Sequence, residues 1–182
     1  MKYQLQLPIL VLVMIGLSSC SYQAPKDPNS SFYAPPVGSQ LILHRAITIP
    51  ANNTEVRIQD GKVIQSSWDL DTYYANCNFE LREIANEERT VRPDSFNVTR
   101  VHRDTENVLL NKPTVVASSR VGNGGPPLVD YITIMDLYSA RQPEVMRISC
   151  QHWNDPNDGE HLNINQIRKT LGDLFTLTLA SD

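Results

Sequence analysis

Apolar and polar residues alternate along most of this chain with the period of two that half-buried strands require. In "SQLILHRAITIP", Leu41, Leu43, Ile47 and Ile49 alternate with Ile42, His44, Ala46 and Thr48, which predicts one strand running to Pro50. Pro50-Ala51-Asn52-Asn53 is turn chemistry, and "TEVRIQ", Asp60-Gly61 and "KVIQ" follow it. Asp-Gly between β-rich flanks favours a two-residue type I′ turn, which needs positive φ at both central positions, so Ile58 should face Val63 across a hairpin. In "YYANCNFEL" the alternate residues Tyr73, Ala75, Cys77, Phe79 and Leu81 form the apolar face of the next strand. "REIANEERTVRPD" is polar and reads as a loop ending at Pro93. "SFNVTRVH" reads as a strand with Phe96 and Val98 inward, and "RDTENVLLNKP" has room for a short turn of helix.

"TVVASS" is short and β-prone, whereas "RVGNGGPPLV" reads as a loop because Gly122, Gly124, Gly125, Pro126 and Pro127 forbid regular structure. "VDYITIMDLYS" and "VMRISCQHW" predict two long neighbouring strands joined around Pro143, the second carrying Met146, Ile148 and Cys150 on one face. The period then changes. Asn163 with Gln166 three residues on makes a capping box, Ile164, Ile167 and Leu171 share one helical face, and Gly172 is a natural stop. "LFTLTLA" closes the chain as a strand through Phe175, Leu177 and Leu179. The sum is a mostly β fold, an antiparallel β-sandwich or small barrel with one short C-terminal helix.

The amino terminus departs from this pattern. After Lys2 the chain runs without a charge from Leu7 to Leu17. That stretch is short for a spanning helix, which takes about 20 apolar residues, and is the length of a secretory h-region of roughly 7–15 residues. Leu17-Ser18-Ser19-Cys20 resembles the lipobox of bacterial lipoproteins, in which a Leu and two small residues precede an obligatory Cys. The resemblance implies cleavage after residue 19 and acyl chains on Cys20. It also implies the outer membrane, on its periplasmic face, because Ser21 stands where an Asp tends to retain lipoproteins at the inner membrane. "SQLILHRAITIPANNTEVRIQDGKV", "CNFELR" and "RPDSFNVTRV" further resemble segments of a family of exported proteobacterial proteins with no activity attached, which adds no site.

Export leaves Cys77 and Cys150 as an even pair in an oxidising compartment, on strand faces that both point inward. A disulfide is the expectation, two separate buried thiols the alternative. The organisation is then a signal peptide over 1–19, a Pro/Ser-rich tether over 20–37 with no apolar period, and one β-rich domain over 38–182.

A formal charge of −4 leaves no concentration of Lys and Arg for a polyanion, so a nucleic-acid partner is not expected. It also leaves membrane attachment to the acyl chains. Among chemistry-bearing residues, "HWNDPNDGEHLN" gathers His152, Asp155, Asp158, Glu160 and His161. Their spacing fits neither an EF-hand, since Gly159 falls at the fifth position from Asp155, nor H-E-x-x-H, and an exposed acidic loop is the reading adopted, with no metal and no cofactor assigned. "VGNGGPP" lacks the Lys-Ser or Lys-Thr of a P-loop, and Ser118, Ser119 and Ser139 lack a nucleophile elbow. His44 and His102 sit in strand contexts, where a histidine bonded to a neighbour is the default.

The expectation is a non-enzymatic binding or assembly module of the envelope with a protein partner. Two further readings stand beside it. One is a carrier or sensor of a small lipid or sugar at a mouth lined by Trp68, Tyr73, Tyr131 and Trp153. The other is a metal-dependent hydrolase using the His152–His161 region. The lipobox predicts that labelled palmitate enters the wild-type chain in cells and not the Cys20→Ser chain; equal labelling of both would refute acylation at this thiol.

Overall fold

The apolar row from Leu41 to Ile49 is buried throughout, yet it builds two strands instead of one. In the computed structural model, which describes residues 26–108 and 128–180, β1 (Gln40–Leu43) ends before His44, and β2 (Ile47–Ile49) begins after three exposed residues. β1 runs between two antiparallel neighbours that both stop beside Leu43, so the ladder has no partner to continue on. β2 instead pairs with β6 (Arg89–Val91), a short strand inside the segment expected to be loop. Thr48 and Thr90 face outward there, while Ile47, Ile49 and Val91 reach the common core.

Asp60 and Gly61 take φ values of 49° and 72°, and the turn joins β3 (Glu55–Gln59) to β4 (Lys62–Ile64) with Ile58 opposite Val63, as its residue types dictate. β5 (Asn76–Leu81) starts later than the alternation suggested, so Tyr73 lies in the preceding turn and is 58% exposed. β7 is long, Asp94–Asn107, and pairs through its whole upper half with β8 (Val129–Tyr138). Of the segment with room for a helical turn, Arg103–Asn107 are therefore ladder, Val108 takes a helical conformation, and 109–113 lie outside the described residues. β9 (Val145–Asn154) follows, then the helix α1 (Ile164–Leu171), a single 3-10 turn and β10 (Phe175–Thr178). Residues 1–25, with Cys20, and 109–127, with "TVVASS" and the Gly/Pro-rich loop, lie outside the described residues, as do 181–182.

Eight strands make one curled antiparallel sheet, a half-barrel, in the order β10-β1-β7-β8-β9-β5-β3-β4. Two irregularities interrupt the ladders, and the first corrects an inferred face. Leu81 pairs with Val145 and Glu80 with Arg147, so Met146 is the extra residue and Val145 takes the inward place assigned to it. In β7 the register shifts between Val98 and Arg100, after which Val101 and not Arg100 turns toward the core. Both are bulges, which bend a strand and increase its twist.

The concave side holds Leu41, Phe79, Phe96, Met135 and Ile148, and α1 lies in it through Ile164, Ile167 and Leu171. Phe79 meets Phe96 at 6.1 Å and Phe175 at 5.3 Å between ring centres. Cys77 and Cys150, opposite each other on β5 and β9 and fully buried, are joined by a disulfide. In the chain-entropy account a loop this long contributes about 4 kcal/mol.

α1 ties the two ends of the sheet together. Asn163 Oδ1 accepts from the Gln166 amide and Gln166 Oε1 from the Asn163 amide, both at 2.9 Å, completing the capping box. Arg168 Nε donates to Leu177 O in β10, and the Gly61 amide at the β3–β4 turn donates to Thr170 O at 2.8 Å. Residues 26–37, expected as free tether, are fastened here in part. Asn165 Nδ2 donates to Asn29 Oδ1 at 2.7 Å, the Arg103 guanidinium donates to Ser31 O and Tyr33 O, and Tyr33 packs on the core.

Gly172 ends α1 at φ 51°, and a Cβ there would sit 2.6 Å from Gly61 Cα. Gly172→Ala should cost about 2–4 kcal/mol, combining a left-handed backbone with overpacking against another backbone. Urea denaturation checks this; an unchanged midpoint would show that the α1–hairpin contact gives way freely.

Candidate functional site

The outer face of the half-barrel is polar, and at its middle it is buried. Side chains alternate across each strand. While Cys77, Phe79 and Leu81 face the core, Asn76, Asn78 and Glu80 of the same strand face outward and are each at most 8% exposed. Long cross-strand partners cover them. Arg147 pairs with Glu80 at 2.8 Å, Ser149 Oγ donates to the same carboxylate, and Arg57 Nη1 donates to Asn76 Oδ1 at 3.4 Å. The segment leaving β4 then climbs back over this face. Gln59 Nε2 donates to Asp71 O at 2.8 Å and the Trp153 amide to Thr72 O at 2.8 Å.

Between that returning segment and the sheet lies a groove of about 550 Å³, walled by Ser66, Ser67, Leu70 and Thr72 and floored by residues of β3, β8 and β9. Asp130, Gln151 and Trp153 line its floor. Asp130 is 8% exposed, its Oδ2 accepts from Trp153 Nε1 at 3.2 Å, and its buried Oδ1 has no hydrogen-bond partner among the described residues. Burial raises its pKa from 3.8 to about 6, aided by the Glu106 charge and opposed by the Trp153 bond and Arg57. Tyr73 packs edge-on against Trp153 at 6.1 Å. No family model, curated protein or solved structure matches this chain.

The residues singled out in the sequence fall elsewhere or apart. Tyr131 and Trp153 belong to opposite faces of the sheet, because Tyr131 pairs with His152 while Trp153 pairs with Asp130. Trp68 is 94% exposed on the returning segment. The four aromatics thus do not surround one mouth, and only Tyr73 and Trp153 touch.

The His152–His161 stretch folds onto Tyr131 on the inner side. His152 Nε2 shares a hydrogen bond with Glu160 O at 2.7 Å, Asp155 Oδ1 accepts from the Asn157 amide and side chain, and Asp158 and Glu160 are exposed. Gly159 is required there, since a Cβ would lie 2.2 Å from the Tyr131 ring. His161 stands edge-on to Tyr131 at 5.7 Å, its pKa lowered by burial and by the Arg103 and His152 charges. Among the described residues no three His, Cys, Asp or Glu side chains come together as a metal site would need.

The hydroxyls are no more suggestive of a nucleophile. Ser139 Oγ donates to Asp94 Oδ2 at 2.7 Å, and that carboxylate also receives Gln142, Arg141 and the Ser95 amide. Burial alone would raise the Asp94 pKa, and these donors together hold it below the usual value. Gln142 also bonds Arg92 N and O, so the cluster latches the β8–β9 turn onto the β6–β7 turn. His44 Nε2 is bonded to Thr176 Oγ1 at 2.7 Å, and His102 is exposed.

Asp130, Gln151, Arg57 and Thr72 were not singled out by the sequence. One signal was present: "VDYITIMDLYS" carries Ile132 and Ile134 on the same side as Asp130, so both faces of this strand are partly apolar and its outer side should be covered.

Between pH 3.8 and about 6 the folded protein keeps a proton on Asp130 that the unfolded chain has released, so stability falls as pH rises through that window, by at most about 3 kcal/mol. Asp130→Asn should abolish this loss. Denaturation at pH 4.5 and pH 7 should show the variant gaining on wild type at the higher pH; an equal difference at both would refute a buried carboxyl.

Proposed function

We propose that this protein is a lipid-anchored, non-enzymatic binding module of the bacterial envelope, held at the outer membrane facing the periplasm by acyl chains on Cys20. Its contact site in this reading is the outer-face groove. One observation carries the proposal: a buried carboxyl with a free oxygen lines that groove beside an indole ring. Burying such a group costs stability at neutral pH, and that cost supports a role for it in contact with a ligand or partner. The Cys77–Cys150 disulfide suits an oxidising compartment. With residues 29–33 fastened to the domain, an anchor at Cys20 would leave only the stretch to Pro28 between domain and membrane.

The small-ligand reading moves with the geometry. Phe79, Phe96 and α1 fill the concave side, so the outer groove and not the barrel interior offers the space.

A photoreactive residue placed at Ser67, on the groove wall, should form a discrete adduct with envelope material in intact cells. The Cys20→Ser chain should lose both membrane fractionation and the adduct. No adduct from either chain removes the binding-module reading; an adduct that persists in soluble Cys20→Ser protein keeps the groove and removes the anchor.

A further inference from the structure

The groove's lining narrows what it can hold. Thr48, Asn53, Ser66, Thr72 and Gln151 offer hydroxyls and amides, groups that both donate and accept. Pro50, Leu70 and Trp153 supply apolar surface between them. The charges are largely compensated within the fold: Arg57 stands 3.9 Å from Glu55 and also reaches Asn76. A polyanion would find no cationic field here. An extended peptide binds by main-chain hydrogen bonds to a sheet edge; here the edge strand β4 contributes only Val63 and Ile64 at one margin, while the floor of β3, β8 and β9 is a sheet face that presents side chains. What matches alternating hydroxyl-rich and C–H-rich surface is a sugar, whose hydroxyls donate and accept and whose ring faces are apolar.

We infer that the outer-face groove binds a neutral saccharide chain, with Trp153 meeting the apolar face of a sugar ring and Asp130 Oδ1 and Gln151 accepting and donating hydrogen bonds to its hydroxyls. The unpartnered Oδ1 is the second support. Among the described residues this buried acceptor has no partner, so a ligand hydroxyl reaching it from the groove would complete it, and a site built this way discriminates against ligands that lack one. The volume of about 550 Å³ lies within the range of small-molecule sites, and the groove's position on an open face suits a chain that continues beyond it. This inference deepens the groove reading above and is independent of acylation at Cys20.

The test uses the full chain in mild detergent with Trp68→Phe, which leaves Trp153 as the sole tryptophan of the two in the sequence. Tetramers of N-acetylglucosamine and of glucose are titrated against its fluorescence, with polyphosphate as the anionic control. At least one neutral tetramer should give a saturable change with a Kd of about 1 mM or tighter, and polyphosphate none. Asp130→Asn and Gln151→Ala should each weaken binding about tenfold, the scale of one lost hydrogen bond to a buried group. Melting curves accompany both variants, and Asp130→Asn is expected to be the more stable protein. No change with either tetramer up to about 10 mM, an equal response to polyphosphate, or unaltered affinity in both variants overturns the saccharide inference. A protein adduct from Ser67 together with a negative titration would sink the sugar and leave the binding module standing.

Discussion

A curled sheet of eight strands has a concave apolar face and two free edges, and the contact that resolves both is the seating of α1. Its apolar stripe fills the concavity, while its polar groups reach the sheet at both ends: Arg168 to β10 and the Thr170 carbonyl to the β3–β4 turn. The second of these depends on two glycines. Gly61 and Gly172 approach so closely that neither has room for a side chain without displacement, and both carry positive φ. Without that approach the hairpin would stand away from the helix and the half-barrel would open along β3 and β4. The order of the sheet places β10 next to β1 at one edge and β4 at the other, so α1 spans between its two margins.

The disulfide and the bulges shape the same sheet from within. Cys77 and Cys150 lock β5 to β9 in register, and a one-residue slip there would turn every side chain of either strand to the wrong face. The extra residue at Met146 then bends β9 below the lock, and the shift near Thr99 bends β7. Strong local twist is what allows eight strands to wrap α1 instead of splaying into an open sheet.

The outer face has a different energetic character. Glu80 and Asp94 are buried carboxyls that are fully answered, one by Arg147 and Ser149, the other by four donors, and each stabilises a particular strand or turn arrangement. Among the described residues Asp130 is answered at one oxygen only. The contrast among three buried acids on one sheet separates groups that hold the fold from a group that the fold must tolerate. The proposed binding role of the groove rests on that separation, and not on the mere presence of a groove.

Much of this was legible in the residues alone. The Asp60-Gly61 turn, the Ile58–Val63 register, the Asn163–Gln166 capping box, the inward pairing of Cys77 with Cys150 and the β-rich class are each set by local chemistry: positive φ, a short polar side chain at a helix start, or period-two alternation. The resemblance of Leu17–Cys20 to a lipobox is a reading of the sequence alone, resting on those four residues and the apolar run before them, and it lies outside the described residues. The break between β1 and β2, the strand β6 and the bulge at Met146 depend on where neighbouring ladders end, which no single segment encodes. The groove depends on more still. Asp130, Gln151 and Thr72 are far apart along the chain and unremarkable singly; only sheet pairing of β8 with β9 and the return of residues 65–72 across the outer face bring a carboxyl, an amide and an indole to one place, because burial and hydrogen-bond completion are properties of the packed structure.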